Sequence, residues 1–308
     1  MSFENIVFTS VSKKFEPYAF GSPIVALDDF SYTFEMAKTT LMLGHNGAGK
    51  TTCLKILLGL IAKYQGSISW RGQAIGALQR AGIGYMPENN LLPINLTAGE
   101  LLRVQYMQHG ILIANLKTRI QSDLDAVGLA GMEKRLVKAL SKGQLRRLAW
   151  ALATAHNPDV LVLDEPFSGL DPLGRLEMLD WLREKKADHK TLIFASHEIT
   201  AVTDLCDQVV VLRHGKKVLS QSMAPSEESM FRIVVDYQAF EQLRKLMVDG
   251  LLPSFEFEAV HSFIHLNVLG RKNAQVILKW CIEASVGILE FRPLSWLELR
   301  KNLYQLKE

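Results

Sequence analysis

The stretch that decides the fold is Gly44-His45-Asn46-Gly47-Ala48-Gly49-Lys50-Thr51, followed directly by Thr52. It fits the pattern GxxxxGK[ST], in which glycines let backbone N–H groups turn toward one concavity. An apolar run from Thr40 to Gly44 predicts a strand before it, and helical periodicity from Lys50 to Ala62 follows it. This order predicts a phosphate-binding loop whose lysine serves the β and γ phosphates and whose threonine hydroxyl serves Mg²⁺.

A second acidic element lies downstream, where the apolar run Val160–Leu163 is followed by Asp164 and Glu165. Successive side chains of a strand point in different directions, so the two carboxylates have different roles. We expect Asp164 to serve Mg²⁺, directly or through water, and Glu165 to polarise an attacking water. Together with the phosphate-binding loop, these acids predict a site that hydrolyses a nucleotide.

The first 220 residues alternate short apolar runs with helical periods, as in Leu192–Ala195 followed by Glu198–Cys206. This alternation predicts an α/β fold with a mostly parallel, helix-covered sheet. Between Asn95 and Asn157 the strand signals give way to helical stretches, which open with the capping box Thr97–Glu100. We therefore expect a helical insertion within the α/β domain.

The composition excludes several classes of protein. The 308 residues are 48% hydrophobic and 22% charged, with 35 basic and 32 acidic side chains, which excludes a disordered chain and a polycation that binds nucleic acid in bulk. The longest apolar run is much shorter than the roughly 20 residues of a membrane-spanning helix, and the N-terminus lacks the features of a signal peptide. Three widely spaced cysteines without a CxxC pair indicate reduced thiols. His261 and His265 lie about 13 Å apart along a predicted strand, too far for one metal, so we expect no structural metal site. We expect a cytoplasmic protein that does not insert into a membrane.

The polar stretch Ser220–Ser229 predicts a linker between two domains, residues 1–222 and 223–308. After the linker, the predicted order is strand, helix, two strands, helix and strand, which is the ferredoxin-like arrangement. A last amphipathic helix is predicted at Ser295–Leu306. The C-terminal domain carries no catalytic motif, so we expect an accessory role.

Further motifs resemble those of the ABC ATPases. Leu140-Ser141-Lys142-Gly143-Gln144 resembles the LSGGQ signature, with lysine in place of the first glycine, and Arg147 lies where that signature helix usually has arginine. Ser168-Gly169-Leu170-Asp171 resembles the D-loop, and His197 resembles the switch histidine. The resemblance implies a P-loop ABC-type core, an antiparallel β part near the N-terminus and a helical subdomain at about 89–155.

The same resemblance implies the partners and the remaining site residues. ATP and Mg²⁺ are the implied cofactors, and a second ATPase protomer, with a homodimer expected, is an implied partner. Ser141, Gly143 and Gln144 would meet the nucleotide of the opposite protomer, and Asp171 would cross the same interface. His197 would hold the γ-phosphate.

Two positions depart from the family pattern. Tyr85-Met86-Pro87-Glu88 has glutamate where a glutamine is usual, and Glu88 can still reach Mg²⁺ or the attacking water. A glutamate at this position resembles the ATPases of ABC-2-type exporters. Phe15 best matches the spacing of the aromatic residue that stacks on adenine, but the following stretch is longer than usual, so Tyr18 or Phe20 are alternatives.

These features favour the ATP-hydrolysing subunit of an ABC transporter, whose permease is a separate integral-membrane chain. The chain would then be peripheral at the cytoplasmic face of the membrane, with segment Glu88–Leu102 as the expected dock for the permease. The alternative is a soluble ABC ATPase that acts on a ribosome or a nucleic-acid machine. A single phosphate-binding loop, no sustained heptads and no CxxC disfavour that alternative, so no nucleic-acid partner is expected. Glu165 argues against a mere ATP sensor.

Overall fold

The computed structural model describes residues 5–16, 22–89, 92–111, 114–197, 205–223, 230–248, 252–253, 255–260, 263–269, 271–283 and 288–293. The chain divides into two compact units, Met1–Ser222 and Met223–Glu308, and each has its own hydrophobic core. The helix predicted at Ser295–Leu306 lies outside the described residues, as does Glu198–Cys206 except for its last two residues.

The first unit contains ten strands and six α-helices among its described residues. In chain order they are β1 (Ile6–Phe15), β2 (Ile24–Phe34), β3 (Thr39–Leu43), α1 (Lys50–Leu57), β4 (Gln65–Trp70), β5 (Gln73–Ala74), α2 (Ala77–Arg80), β6 (Ile83–Met86), α3 (Ala98–Gln108), α4 (Leu116–Ala126), α5 (Lys142–Thr154), β7 (Val160–Asp164), α6 (Pro172–Ala187), β8 (Thr191–Ser196), β9 (Gln208–Arg213) and β10 (Lys216–Ser222).

A six-stranded sheet in the order β10-β9-β3-β8-β7-β6 forms the centre of this unit. All neighbouring pairs are parallel except β9 and β10. Every residue of β3, β7 and β8 is buried. Parallel strands that are covered on both faces need such continuous apolar sequences, and this confirms the α/β class predicted from the alternating pattern.

A second sheet is antiparallel and has the strand order β2-β1-β4-β5. Its buried face is aromatic: the ring of Phe8 meets those of Phe30 and Phe34 edge-on, with centroids 5.6 Å apart in both pairs. This geometry favours contact between the positive edge of one ring and the negative face of the other. The sheet brings Phe15, at the end of β1, close to the loop that precedes α1.

The helical region lies between β6 and β7, two strands that are neighbours in the central sheet. The predicted capping box is confirmed at the start of α3: the Thr97 hydroxyl accepts from the Glu100 amide at 3.2 Å, and the Glu100 carboxylate accepts from the Thr97 amide at 2.7 Å. Ser141 and Gln144 form a second capping box at the start of α5. These pairs satisfy helix N–H groups that have no partner within the helix.

Two boundaries predicted from the sequence are wrong. Helix α1 ends at Leu57 rather than at residue 62, because Gly59 has a positive φ of 75° and the Leu60 amide bonds back to the Lys55 carbonyl at 2.9 Å. This hydrogen bond closes the helix as a Schellman-type end. The polar linker does not begin at Ser220, since the last three residues of β10 pair with β9.

The second unit has the element order β11 (Met230–Asp236), α7 (Tyr237–Val248), β12 (Glu256–Val260), β13 (Phe263–Leu269), α8 (Arg271–Glu283) and β14 (Ile288–Pro293). Its four strands form an antiparallel sheet in the order β12-β13-β11-β14. Its core contains Phe231, Ile233 and Val235 from β11, together with Leu243 from α7 and Ile277 from α8. Alternate residues of β11 thus face the two helices. In the part of the chain described for both units, no helix has the length and apolar character needed to cross a membrane.

Candidate functional site

The polar residues predicted from sequence follow the ends of four neighbouring parallel strands. Lys50 begins the helix after β3, Asp164 ends β7, His197 follows β8 and Glu88 follows β6. The carboxyl ends of parallel strands meet at one edge of a sheet, where ligands of open α/β folds commonly bind. Residues far apart in sequence are therefore gathered at a single edge.

A cleft of about 390 Å³ opens at this edge. Seven consecutive residues, Asn46 to Thr52, line it, and five more come from other segments: Phe15, Ile24, Ala26, Glu88 and Glu165. Gly44 and His45 lie just outside this lining, but their carbonyl oxygens accept hydrogen bonds from Lys50. The cleft combines a glycine-rich loop, a helix N-terminus, an aromatic ring and two carboxylates.

The glycine-rich loop before α1 contacts both sheets of the first unit. Gly49 has a φ of 106°, and a Cβ at this position would lie 2.3 Å from the carbonyl oxygen of Ala26 in β2. The amide of Gly215 donates to the Ala48 carbonyl, and the amide of Asp28 donates to the Gly215 carbonyl, both at 3.0 Å. Only glycine fits at position 49, because a side chain would meet backbone that cannot move aside.

Lys50 lies deep in the cleft, with 6% of the residue exposed. Its Nζ donates to the carbonyl oxygens of Gly44 at 2.6 Å and His45 at 3.3 Å, and it lies 3.7 Å from Oε1 of Glu165. Burial lowers the pKa of the Lys50 ammonium, and the carboxylates of Glu165 and Asp164 oppose this effect. The ammonium is thus held between the loop carbonyls and the buried acids.

Asp164 and Thr51 form an oxygen pair at the start of α1. The Thr51 hydroxyl donates to Oδ1 of Asp164 at 3.1 Å, and Asp164 is 1% exposed. The pKa of Asp164 is raised by its burial, and the Thr51 hydrogen bond and the Lys50 charge partly oppose this effect. Mg²⁺ prefers hydroxyl and carboxylate oxygens and often takes one or two protein ligands together with substrate phosphates. The pair fits that ion.

Glu165 follows Asp164, the last residue of β7, and its side chain lines the cleft. Its Oε1 lies 3.0 Å from Nδ1 of His197, and its amide donates to the Ala195 carbonyl at 3.0 Å. Its φ is 46°, in the left-handed region that non-glycine residues rarely adopt. Such a conformation costs about 1 to 3 kcal/mol and occurs often at functional sites. The site therefore holds a carboxylate on a strained backbone, beside a lysine and a histidine.

Comparison with known proteins places this geometry in a family. The sequence profile described as "ABC transporter" matches residues 27–168. An uncharacterized ABC transporter ATP-binding protein of Nostoc sp. is 38% identical over 224 residues, which is 71% of this chain and 67% of that protein. The chain belongs to the ABC transporter ATP-binding proteins. It is thus an ABC ATPase, and ATP is its nucleotide.

Two other relatives of this ABC ATPase carry transport functions in their names. Nod factor export ATP-binding protein I of Sinorhizobium fredii is 35% identical and aligns over 70% of this chain, but over 62% of its own length, which is less than two thirds. Lantibiotic transport ATP-binding protein SrtF of Streptococcus pyogenes is 33% identical over 65% of this chain and 86% of its own length. Among solved structures, a dimeric bacterial ABC transporter cassette has a TM-score of 0.65 at 21% identity, covering 72% of this chain and all of the cassette. That likeness shows the ABC fold.

The residues predicted to form the signature motif and the D-loop do not line the cleft of their own chain. Ser141 is the N-cap of α5, where its hydroxyl accepts from the Gln144 amide at 3.3 Å. A Cβ added to Gly143 would meet no atom within 4 Å, so the surface is open there. Asp171 caps α6 by accepting from the Gly174 amide at 2.8 Å. Within this chain these residues shape two helix N-termini rather than the nucleotide cleft.

Arg146 is a buried site residue that the sequence analysis missed. The family pattern drew attention to Arg147, which pairs instead with Glu177. Arg146 is 3% exposed, and burial lowers the pKa of its guanidinium, opposed by the charges of Glu88, Asp164 and Glu165. A signal was available in the sequence, since at helical spacing this arginine shares the apolar face of α5 that contains Ala149, Trp150 and Ala153.

Phe15 lies where an adenine ring could stack. The residue is 40% exposed and lines the cleft, and Nζ of Lys13 lies 4.7 Å from the centre of its ring. The alternatives Tyr18 and Phe20 are outside the described residues. An exposed ring face beside the phosphate-binding loop suits a nucleotide base.

Proposed function

We propose that this ABC ATPase powers a separate integral-membrane permease and that the transporter is an exporter. The observation that carries the proposal is that the Lys50 ammonium, the Thr51 hydroxyl and the Glu165 carboxylate line one cleft, where Thr51 also donates to the buried Asp164 carboxylate. The export and transport roles in the names of two relatives support the direction. Glu88, in place of the usual glutamine, supports it as well.

The residue roles follow from the contacts in the cleft. The Lys50 ammonium, at the base of the loop, would bind the β and γ phosphates as a charge-assisted donor. The Glu165 carboxylate would polarise the attacking water, and His197, 3.0 Å from it, would bind the γ-phosphate. Thr51 and Asp164, with Glu88 nearby, would hold Mg²⁺. When bound, that ion would offset the charge of the phosphates.

We propose that two copies of the chain assemble so that each completes the site of the other. The open surface at Gly143 and the position of Ser141 at a helix N-terminus suit contact with an anion of a second molecule. Gln144 lies in the same first turn, and Asp171 would take part in the same interface. The dimeric cassette among the similar folds supports this arrangement.

The permease would bind the face formed by segment 88–102, placing the chain peripherally at the cytoplasmic side of the membrane. Ile94 in this segment is 59% exposed, as an apolar docking residue would be. Residues 1–222 would act as the ATPase domain, with the helical subdomain at about 89–155. Residues 223–308 would form a ferredoxin-like accessory domain, a proposal supported by their strand order β12-β13-β11-β14.

Purification from membranes tests this function. A tagged full-length chain is extracted from its host in mild detergent, and the proteins that accompany it are identified by mass spectrometry. We expect an integral-membrane protein in a stoichiometric amount, and residues 1–222 alone to bind ATP but to retain less of this partner. Recovery with ribosomes or nucleic acid, and without an integral protein, would contradict the proposal.

Phe15→Ala is expected to weaken ATP binding by roughly 5- to 150-fold, because base–aromatic stacking contributes about 1 to 3 kcal/mol. Stacking does not read the edge of the base, so ATP and GTP should compete within about tenfold, or about 1.4 kcal/mol. Competition binding measures both quantities. Tripolyphosphate, which has no base, is the control, and an equal loss of its affinity would show that Phe15 does not act through the base.

A further inference from the structure

Arg146 joins three segments that are distant in sequence. From α5, its Nη1 donates to the carbonyl oxygens of Pro87 at 2.6 Å and Glu88 at 3.0 Å, and its Nη2 donates to the carbonyl oxygen of Glu165. A guanidinium presents its N–H donors in a rigid planar fork, so it fixes the directions of several acceptors at once. A lysine ammonium at the same position could not reproduce this geometry. The side chain therefore connects the ends of β6 and β7 to helix α5.

The Glu165 backbone needs such support. Its left-handed conformation, with a φ of 46°, persists only where the surroundings determine it strongly. The Glu165 amide donates to the Ala195 carbonyl at 3.0 Å, and its carbonyl accepts from the Ser168 amide at 3.0 Å as well as from Arg146. Arg146 thus supplies a side-chain contact to a strained peptide whose own side chain lines the cleft.

We propose that Arg146 is a positioning residue that fixes the direction of the Glu165 carboxylate by clamping the Glu165 carbonyl. The proposal rests on the hydrolytic role proposed above for Glu165. Arg146 itself is not among the residues that line the cleft, so it acts through the backbone that it holds and not by contact with the nucleotide. Loss of the clamp should therefore slow turnover and leave ATP affinity nearly unchanged.

The test is a double-mutant cycle on the full-length protein with Arg146→Gln, Glu165→Gln and their combination. Arg146→Gln is expected to lower kcat by about 10- to 100-fold, since small misplacements of a reacting group have effects of this size. The KM for ATP should stay within about threefold of the wild-type value, because the variant keeps the contacts that bind ATP equally in the ground state and the transition state. The double variant should turn over within about twofold of Glu165→Gln alone, since coupled residues are not additive.

Two further variants complete the design. Arg146→Lys keeps the charge and the donors of a single nitrogen but not the planar fork, so kcat should fall by about 3- to 10-fold. Arg183→Gln is the matched control, because this guanidinium pairs at the surface with Asp180 at 2.7 Å, and its kcat should equal that of the wild type. Thermal melting and ATP binding verify that each variant is folded.

The outcomes separate this inference from the proposed function. Losses that multiply in the double variant, or folded Arg146 variants with the wild-type kcat, would overturn the positioning role while leaving Glu165 as the water-polarising group. Failure of both Arg146 variants to fold would also overturn it, since the side chain would then serve folding itself. An unchanged kcat in Glu165→Gln alone would overturn the role of Glu165 and, with it, the inference.

Discussion

Glu165→Gln should slow ATP hydrolysis by about 10² to 10⁴-fold, or roughly 3 to 5 kcal/mol of barrier, while ATP still binds. Glutamine keeps the size of the side chain but carries no charge and is not a base. The carboxylate it replaces is buried, with Oε1 at 3.7 Å from the Lys50 ammonium and 3.0 Å from Nδ1 of His197. Because the γ-phosphate would remain uncleaved, the variant should accumulate as an ATP-bound dimer.

Single-turnover hydrolysis and size exclusion with and without Mg-ATP measure the two effects separately. Glu184→Gln provides the control, since that carboxylate pairs with Lys185 at the surface and lies outside the cleft. Its rate and its elution should match those of the wild type. Normal turnover of Glu165→Gln would show that another group activates the water.

Lys50→Ala should reduce turnover by at least about 10²-fold, the loss typical when a preorganised charge at a reacting group is removed. ATP affinity should also fall, by about tenfold or more, which corresponds to about 1.4 kcal/mol. The reason is that the ammonium, held by the carbonyl oxygens of Gly44 and His45, is the cation at the base of the loop. Lys55→Ala changes an exposed lysine of the same helix and should leave both quantities unchanged.

Mixing variants tests whether the sites are shared between protomers. Ser141→Arg removes a hydroxyl that would contact the partner's nucleotide and inserts a bulky side chain at the proposed interface. A mixed dimer of Lys50→Ala and Ser141→Arg chains contains one site with both lesions and one with neither. Hydrolysis should therefore return on mixing, and each mixed dimer should reach up to half of the wild-type rate because one of its two sites is intact. Full activity of either variant as a stable monomer would rule out shared sites.

The sequence predicted the elements whose local patterns agree with their tertiary environment. β3, β7 and β8 are short, continuous apolar runs that are fully buried, and α3 begins at its predicted capping box. The end of α1 was placed too late, because apolar periodicity continues beyond Leu57 whereas the backbone turns at Gly59. Periodicity measures which face is buried and does not detect a change of backbone conformation.

The candidate site was predictable as far as local motifs define it. The loop at Lys50 and the acids at the end of β7 need only a strand end and a short spacing; in the fold Lys50 and Glu165 line one cleft, and Asp164 accepts a hydrogen bond from Thr51 in the same cleft. The role of Arg146 could not be predicted, because its acceptors are backbone carbonyls of residues about 20 and 60 positions away. Every residue has a backbone carbonyl, so the residue types do not reveal such acceptors. The conformation of Glu165 was hidden for the same reason.

The hydrogen bonds of Gly215 restrict the length of the hairpin between β9 and β10. The β9–β10 hairpin turns through two residues, and its Gly215 receives the Asp28 amide and donates to the Ala48 carbonyl. A turn at the surface usually tolerates insertions and deletions. Here an added residue would move the hairpin tip away from both partners and change the height of the phosphate-binding loop above the sheet. A change in the length of this hairpin should therefore also change the affinity for the nucleotide. The tip is for this reason a poor position for inserting a reporter or an epitope.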